Sequence, residues 1–158
     1  MRIGNGIDVH PLKRGRKLIL GGVEIKHDFG CDGHSDGDVL IHSIIDALLG
    51  AINKGDIGEH FPSSNDTYKN SSSMIFLDMI CNKYISNKWN IINIDSTILL
   101  QSPPIKPHIQ SIKENLCNHI PCLNNLSIKA TTTDYLGFIG KKDGIGSFTT
   151  CLVSRIDG

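Results

Sequence analysis

The sequence lacks an excess of either charge and lacks any long apolar run, and both absences exclude classes of protein. Lys plus Arg number 16, as do Asp plus Glu, so the 158-residue chain has no formal net charge. Its bulk electrostatics therefore favour neither nucleic acid nor an anionic membrane. No apolar run approaches the ~18–20 residues of a membrane span, and the start, MRIGNGIDVH, lacks the layout of a signal peptide. We expect no nucleic-acid or membrane partner, and a cytoplasmic location, or a plastid stroma if a transit segment has been removed.

Paired cysteines are also missing. The five cysteines are odd in number, and no two have the CxxC spacing. We therefore expect reduced thiols rather than a disulfide framework or a cysteine zinc site. These residues are Cys31, Cys81, Cys117, Cys122 and Cys151. The seven histidines are more informative.

The length and composition suit a single domain over residues 1–158, since a hydrophobic content of 39% is enough for one buried core. We find no internal repeat and no linker. The polar stretch 63–73, SSNDTYKNSSS, is predicted to be a mobile surface loop.

Hydrophobic periodicity predicts the element order ββααβαββ. Apolar positions at steps of three and four predict a helix over 38–53, with Ser35 or Asp36 as its N-cap. Gly21 and Gly22 are expected to bend the second strand. Strands interleaved with helices indicate an α/β (α+β two-layer) sandwich, a mixed sheet with helices on one face. A subunit partner is the simplest cover for the other face. The remaining predicted elements are strands over 2–9, 18–25, 90–100, 126–131 and 146–156, and helices over 72–85 and 106–119.

Three side chains from separate elements could form a metal site. Asp8 and His10 are two residues apart on a predicted strand, so they leave the same face, and His42 lies in the predicted helix. Asp38 and Asp46, four residues to either side of His42, could accept a hydrogen bond from the imidazole nitrogen that faces away from a metal. An Asp-His-His set with one open position suits catalytic zinc. A solvated helix face that keeps a histidine protonated explains the same residues equally well.

Two further segments have polar groups that suit phosphate or metal binding. His34 and Ser35 precede the predicted helix, whose free N–H groups could hold an anion, although an ordinary capped helix start has the same pattern. Thr131, Thr132 and Asp134 follow a predicted strand and offer hydroxyls and a carboxylate suited to Mg²⁺. Taken alone, this second segment is more simply a strand end that runs into a turn.

Taken together, motifs spread over nearly the whole chain resemble one family. The combined pattern is similar to that of the 2-C-methyl-D-erythritol 2,4-cyclodiphosphate synthases (MECDP synthases) of the non-mevalonate (MEP) isoprenoid pathway. The motifs are R-I-G-x-G-x-D-V-H (Arg2 to His10), G-G-V (Gly21 to Val23), H-S-D-G-D-x-x-x-H (His34 to His42), D-A-L-L-G-A (Asp46 to Ala51), G-D-I-G (Gly55 to Gly58), F-P (Phe61 and Pro62), P-H-I (Pro107 to Ile109) and K-A-T-T-T (Lys129 to Thr133).

The resemblance implies a small α/β subunit in a homotrimer, with an active site at each subunit interface. It implies a cyclising phosphorus–oxygen lyase that converts 4-diphosphocytidyl-2-C-methyl-D-erythritol 2-phosphate into the 2,4-cyclodiphosphate and CMP. The substrate's own 2-phosphate would attack its β-phosphorus. The resemblance further implies one Zn²⁺ per subunit at Asp8, His10 and His42, and a second divalent cation, Mg²⁺ or Mn²⁺, at Asp134.

The remaining roles also follow from the resemblance. His34 and Thr132 match positions that stabilise the transition state. Residues 56–58 match a substrate-hydroxyl site, and residues 100–106 match the wall around the cytosine. The full set of implied substrate-binding residues is Asp8, Val9, His10, His34, Ser35, Asp56, Ile57, Gly58, Phe61, Pro62, Ser63, Ser64, Asn65, Leu100, Gln101, Ser102, Pro103, Pro104, Ile105, Lys106, Thr131, Thr132, Thr133, Asp134, Phe138 and Lys141.

The chain departs from the family pattern at four of these positions. Asp134 replaces a usual glutamate, Pro104 a common lysine, Ser63 a frequent aspartate and Lys141 a frequent arginine. We expect these changes to alter affinity rather than remove activity, because none of them is a zinc ligand. Two other functions fit the same residues: a zinc-dependent hydrolase of nucleoside diphosphates, and a non-catalytic trimer that binds cytidine nucleotides or isoprenoid phosphates.

Overall fold

The computed structural model describes residues 1–121 and 123–156, so Cys122 lies outside the described residues. The strands are β1 (Arg2–Arg14), β2 (Leu18–Leu20), β3 (Val23–Ile25), β4 (Phe29–Cys31), β5 (Trp89–Leu99), β6 (Leu126–Thr131) and β7 (Gly144–Arg155). The helices are α1 (Val39–Ala51), α2 (Ile57–His60), α3 (Ser73–Ile80), α4 (Ile109–His119) and α5 (Gly137–Gly140). A π-helical segment over Cys81–Ile85 continues α3, and 3₁₀ turns cover Asp66–Tyr68 and Lys106–His108.

A mixed five-stranded sheet forms one layer, in the order β4-β1-β7-β5-β6. Only the β5–β6 pair is parallel; the other neighbours are antiparallel. The predicted α/β class with a mixed sheet is therefore confirmed. The predicted order ββααβαββ omitted β4, α2 and α5, because elements of three or four residues are too short to show a periodicity.

The second predicted strand is two strands. β2 and β3 pair with each other as a separate antiparallel hairpin. Gly21 and Gly22 form its turn, with φ of +58° and +73°, a region that glycine enters without a Cβ clash. The glycine pair therefore reverses the chain instead of bending one strand.

Helix α1 is nearly surrounded by protein. It packs on β1 and β7, and only His42, Asp46 and Gly50 along it are not fully buried. The approach to β1 is close: a Cβ on Gly4 would lie 1.9 Å from the Ala47 carbonyl oxygen, and one on Gly6 would lie 2.2 Å from the Ser43 carbonyl oxygen. Glycines in β1 thus allow the backbones of β1 and α1 to come into contact, and this contact places His42 next to β1.

The N-cap of α1 is Asp38, not Ser35 or Asp36 as predicted. The Asp38 carboxylate accepts hydrogen bonds from the N–H groups of Leu40 and Ile41. Several consecutive polar residues here can each cap a helix, so the sequence pattern alone does not choose among them. The residue that caps the helix in the structure, Asp38, is completely buried.

The stretch 63–73, predicted to be a mobile surface loop, is joined to the segment that holds His34. The Asn70 N–H donates to the His34 carbonyl at 2.9 Å, and the Asp36 N–H donates to the Ser71 carbonyl at 3.0 Å. Asn65 caps a 3₁₀ turn within the stretch, and Ser73 at its end is buried. Most of the stretch is exposed, as predicted for a surface loop, whereas its backbone pairing with a distant segment has no local signature in the sequence.

The sheet face opposite α1 exposes large apolar side chains. Ile3, Ile7 and Val9 of β1 are 71%, 64% and 49% exposed, and Phe148, paired with Ile7, is 42% exposed. Such a patch is typical of a surface that another protein covers. Within residues 1–121 and 123–156, no helix combines the length and the apolarity of a membrane span.

Candidate active site

Strand β1 and helix α1 bring Asp8, His10 and His42 together. One ligand atom from each residue lies within 4.8 Å of the other two. The Asp8 Oδ2 atom is 3.0 Å from His42 Nδ1 and 3.5 Å from His10 Nδ1. Asp8 and His10 reach one point because alternate residues of a strand share a face. One carboxylate and two imidazoles at this spacing suit a zinc ion, which holds such ligands ~2.0–2.2 Å away.

The loop before α1 is packed closely against this cluster. A Cβ on Gly33 would lie 2.8 Å from His10 Nε2, so a larger residue there would displace the imidazole. The Arg16 guanidinium donates to the carbonyls of Cys31, Gly33 and Ser35 at 3.1–3.2 Å. Arg16 therefore holds the loop that presents His34. Sequence reasoning missed it, since an arginine far along the chain gives no signal of such contacts.

The charges of the cluster favour a cation. Burial on its own lowers the pKa of His42, but the hydrogen bond and charge of Asp8, with the charges of Asp38 and Asp36, outweigh burial and raise that pKa. The surrounding carboxylates that favour a proton on His42 also favour a metal ion in its place.

The His42 nitrogen that faces away from Asp8 bonds to serine hydroxyls, not to a carboxylate as predicted. Its Nε2 atom is 2.9 Å from Ser73 Oγ and 3.2 Å from Ser35 Oγ. The predicted carboxylate partners, Asp38 and Asp46, bond elsewhere. The spacing of four residues places both aspartates on the same helix as His42. Their side chains, however, accept hydrogen bonds from backbone N–H groups that otherwise lack partners.

Asp38 and Asp46 instead connect α1 to its neighbours. Asp38 accepts from the Gly22 N–H at 2.8 Å, which joins the β2–β3 turn to the helix cap. Burial raises the pKa of Asp38 to about 6, although backbone hydrogen bonds partly oppose the shift. Asp46 accepts from the Ile57 N–H at 2.7 Å and so positions α2. Burial also raises the pKa of Asp46, against the effect of that hydrogen bond.

A cleft of about 300 Å³ opens beside the three candidate ligands. It brings together many of the predicted site residues. The Phe61 ring closes one side and stacks on Phe76 with ring centroids 4.5 Å apart. The lining residues are Asp8, His10, Asp32, Gly33, His34, Ser35, His42, Ile57, Phe61, Ser63, Tyr68 and Phe76.

Several predicted residues are near this cleft in the chain but do not line it. Asp56 caps α2 by accepting from the Glu59 N–H at 3.0 Å, and Gly58 lies within that helix. Pro62, Ser64 and Asn65 continue the chain from Phe61 and are exposed. The Val9 side chain points to the opposite sheet face from Asp8 and His10, since it alternates with them.

Most of the predicted residues in 100–106, together with Thr131 and Thr132, line a second cleft of about 420 Å³. Its lining includes the end of β6 and the segment after β5. Of the described residues, none lines both clefts. The lining residues are Leu100, Gln101, Pro103, Pro104, Ile105, Lys106, Ala130, Thr131 and Thr132.

The sheet register explains why the two clefts are separate. Val9 pairs with Gly146, Gly146 with Leu99, and Leu99 with Thr131, so these residues form one row across the sheet. At ~4.8 Å per strand spacing, Val9 and Thr131 are about 14 Å apart. Within one chain, therefore, the strand that holds Asp8 and His10 and the threonine-rich end of β6 are three strand spacings apart.

The loop after β6 is shaped by unusual backbone angles. Asp134 and Tyr135 have φ of +50° and +65°, which non-glycine residues seldom adopt. The Tyr135 N–H donates to Gln101 Oε1 at 3.1 Å, and the Thr133 hydroxyl donates to the Leu136 carbonyl at 2.7 Å. The loop exposes Asp134, and the predicted residues Phe138 and Lys141 after it are exposed as well.

The described thiols do not take part in this site. Cys31, Cys81, Cys117 and Cys151 are free, and all but Cys117 are buried. Burial raises the pKa of Cys31 to about 12, so this thiol beside the cluster stays protonated at neutral pH. The prediction of reduced thiols is confirmed for these four residues.

The fold and the site together define an α/β protein whose candidate centre has the composition of a metal-dependent enzyme site. The chain belongs to the YgbB family, which matches residues 1–154. It is 51% identical over 154 residues to the 2-C-methyl-D-erythritol 2,4-cyclodiphosphate synthase of Clostridioides difficile (strain 630), covering 97% of this chain and 96% of that protein. The resemblance to this enzyme family is confirmed, and it supports the cyclising step of the MEP pathway.

Solved structures agree with this assignment. The bifunctional IspDF of Campylobacter jejuni superposes with a TM-score of 0.93 at 40% identity. That match covers 99% of this chain, which spans 42% of the length of IspDF. The CDP complex of Plasmodium falciparum IspF superposes with a TM-score of 0.85 at 33% identity, covering 99% of this chain and 97% of that one.

Proposed function

We propose that the chain converts 4-diphosphocytidyl-2-C-methyl-D-erythritol 2-phosphate into 2-C-methyl-D-erythritol 2,4-cyclodiphosphate and CMP. An oxygen of the 2-phosphate forms a bond to the β-phosphorus, and the bond from that phosphorus to the oxygen bridging it to the α-phosphorus breaks. CMP leaves with the electron pair, and no water is consumed. The observation that carries this proposal is the Asp-His-His cluster beside an open cleft, in a chain half identical to a named synthase.

Asp8, His10 and His42 would hold one zinc ion per subunit. The donor set supports this choice, because a carboxylate and two imidazoles with an open cleft beside them match catalytic zinc sites. When bound, zinc supplies a Lewis acid to a phosphate oxygen.

The residues around the cluster would position the reacting phosphates. His34 and Ser35 line the metal cleft, and we assign His34 to stabilising the charge that develops at phosphorus. The segment 56–58 would contact the substrate hydroxyls, with Phe61 and Ser63 along the same cleft. Since the nucleophile belongs to the substrate, the chain's task is alignment and charge neutralisation, which suffice for much of phosphoryl-transfer catalysis.

We further propose that the cytidine half of the site comes from a neighbouring copy in a homotrimer. Residues 100–106 and Thr131–Thr133 would hold the cytidine and phosphates, Thr132 would act with His34, and Asp134 would hold the second divalent cation, Mg²⁺ or Mn²⁺. Two observations support a shared site. Val9, on β1 between Asp8 and His10, and Thr131 of the second cleft are about 14 Å apart across the sheet of one chain, and the apolar face of β1 and β7 is uncovered.

Phosphorus NMR with the named substrate tests the reaction. We expect the cyclic diphosphate and CMP to appear together, and only with zinc and Mg²⁺ or Mn²⁺ present. Ring-free phosphate products would instead identify a hydrolase, and tight cytidine nucleotide binding without turnover would identify a binding protein. Either outcome contradicts the proposed cyclisation. A reaction without added enzyme, containing both metals, controls for metal-promoted breakdown.

The assembly gives a separate expected result. Sedimentation or light scattering should report three times the mass of one chain. Replacing Ile7, whose side chain is 64% exposed on the bare face, with aspartate should shift the protein to smaller species, because a charge would be buried between copies. Gly50→Ala, on the helix and away from that face, is the matched control. A monomeric wild-type protein with full turnover would contradict the shared site.

A further inference from the structure

The imidazole nitrogen of His42 that faces away from Asp8 lies in a small buried network of hydroxyls. Its Nε2 atom is 2.9 Å from Ser73 Oγ, at the start of α3. Ser73 is completely buried. Its side chain therefore has no solvent to bond with, and its hydrogen-bond directions are set by the protein.

Asp36 determines the direction of the Ser73 hydroxyl bond. The Ser73 hydroxyl donates to Asp36 Oδ1, and the Ser73 N–H donates to Asp36 Oδ2 at 3.0 Å. Because the Ser73 hydroxyl is the donor in this bond, its single proton points to Asp36. The Ser73 oxygen then offers His42 only its lone pairs.

The orientation of His42 follows from this direction. An oxygen lone pair can pair only with an N–H group, so Nε2 must hold a proton. In a neutral imidazole one nitrogen is the donor and the other has the free lone pair, so the lone pair is on Nδ1. This is the atom that lies 3.0 Å from Asp8 Oδ2, inside the candidate metal cluster.

We propose that Asp36 and Ser73 form a positioning relay that keeps the proton of His42 on Nε2 and presents the Nδ1 lone pair to the metal. Ser35 Oγ, 3.2 Å from the same nitrogen, is the auxiliary acceptor. The relay also prevents the ring from turning over, because that would place a carbon atom against Ser73. The inference rests on the metal site proposed above and assigns a positioning role to Asp36 and Ser73.

The relay makes the site depend on the loop before α1. Asp36 also accepts from the Asp38 N–H at 3.2 Å, immediately before α1. One carboxylate thus joins the starts of α1 and α3 and aims a ligand that belongs to α1. Outer partners of this kind raise ligand basicity and fix the tautomer of metal-bound histidines.

The relay is tested by the zinc affinity of the full-length, metal-free protein. This affinity is measured by competition with a chelating dye at one neutral pH. We expect Ser73→Ala to weaken zinc binding about 10–100-fold, the usual effect of losing an outer partner. Asp36→Asn should weaken it by a smaller factor, because the freed Ser73 hydroxyl can then turn its proton toward His42. Visible spectra of bound cobalt(II) should change in both variants, since ligand orientation affects the ligand field.

Ser43→Ala is the matched control. Ser43 is also a completely buried serine on α1, next to His42 in sequence, but its hydroxyl bonds to Ser147 and Thr149 at 2.8 Å. This variant should lower the melting temperature and leave zinc affinity within about twofold of the wild type. If Ser73 had only a structural role, Ser73→Ala would behave in the same way.

Each outcome decides the question. Wild-type zinc affinity in folded Ser73→Ala and Asp36→Asn would overturn the relay and leave the metal site standing. A wild-type protein that binds no zinc would overturn the metal site and the relay together. If Ser73→Ala does not fold, Asp36→Asn alone gives the answer.

Discussion

Replacing His42 with alanine is expected to lower turnover about 10³-fold or more while the protein stays folded. The variant removes one of three candidate ligands from a cluster spanning at most 4.8 Å. Loss of a preorganised charge-stabilising group costs about 10²–10³-fold, and loss of the ion itself adds to that. Zinc content, measured by elemental analysis, should fall in parallel with the rate.

The fold should survive because the His42 side chain contributes little to the core. It retains 12% exposure at the cleft, while its apolar neighbours on α1 are fully buried. We expect the free energy of unfolding to change by less than about 2 kcal/mol. Denaturant unfolding followed by circular dichroism measures this change.

His119→Ala is the control for His42→Ala. His119 bonds to Asp78 at 2.8 Å with both side chains about one-third exposed or more, and such pairs contribute at most ~1 kcal/mol. Its turnover and zinc content should match the wild type. If His42→Ala unfolds the protein while His119→Ala does not, the metal is structural and the proposed catalytic role is wrong.

Replacing Gly6 with alanine is expected to destabilise the protein by about 3 kcal/mol. The added Cβ would lie 2.2 Å from the Ser43 carbonyl oxygen and 2.8 Å from the Ala47 N–H nitrogen. Both are backbone atoms of α1, so no side chain can move aside. The helix would have to move off β1, and His42, adjacent to Ser43, would move away from Asp8.

Gly50→Ala tests whether this loss comes from close packing. Gly50 lies on the same helix, but the nearest atom to its added Cβ is the Asn5 carbonyl oxygen at 3.8 Å. Alanine there should be neutral or stabilising by ~0.5–1 kcal/mol, because glycine is a poor helix former. Chemical denaturation of both variants gives the comparison. A loss below about 1 kcal/mol for Gly6→Ala would show that β1 and α1 separate easily.

Some features could be read from the sequence because they depend on local periodicity. The alternation of β1 put Asp8 and His10 on one face, and the three-and-four spacing of α1 placed His42 on a helix. The bounds of β6, Leu126–Thr131, agree with prediction, because a β-rich run there ends in a threonine turn. The family resemblance then joined these separate signals into one function.

Other features could not be read because several local solutions are nearly equal in energy. Ser35, Asp36 and Asp38 can each cap a helix, and only burial beneath the β2–β3 turn selects Asp38. The helical spacing predicts a partner for His42 four residues away along the helix, but the partner is Ser73, 31 residues away in the chain. A hydrogen bond at that sequence separation depends on how α1 and α3 pack.

The amino-acid sequence by itself determined which chemical groups are available and on which kind of element each stands, because strand and helix periods act over a few residues. Tertiary structure alone decided which groups meet. Glycines in β1 allow α1 to pack closely on that strand, and the hydroxyl of Ser73 bonds to His42. Three strand spacings separate Val9 from Thr131. These outcomes depend on the packing of distant segments, since contact energies there outweigh the preferences of any short stretch of chain.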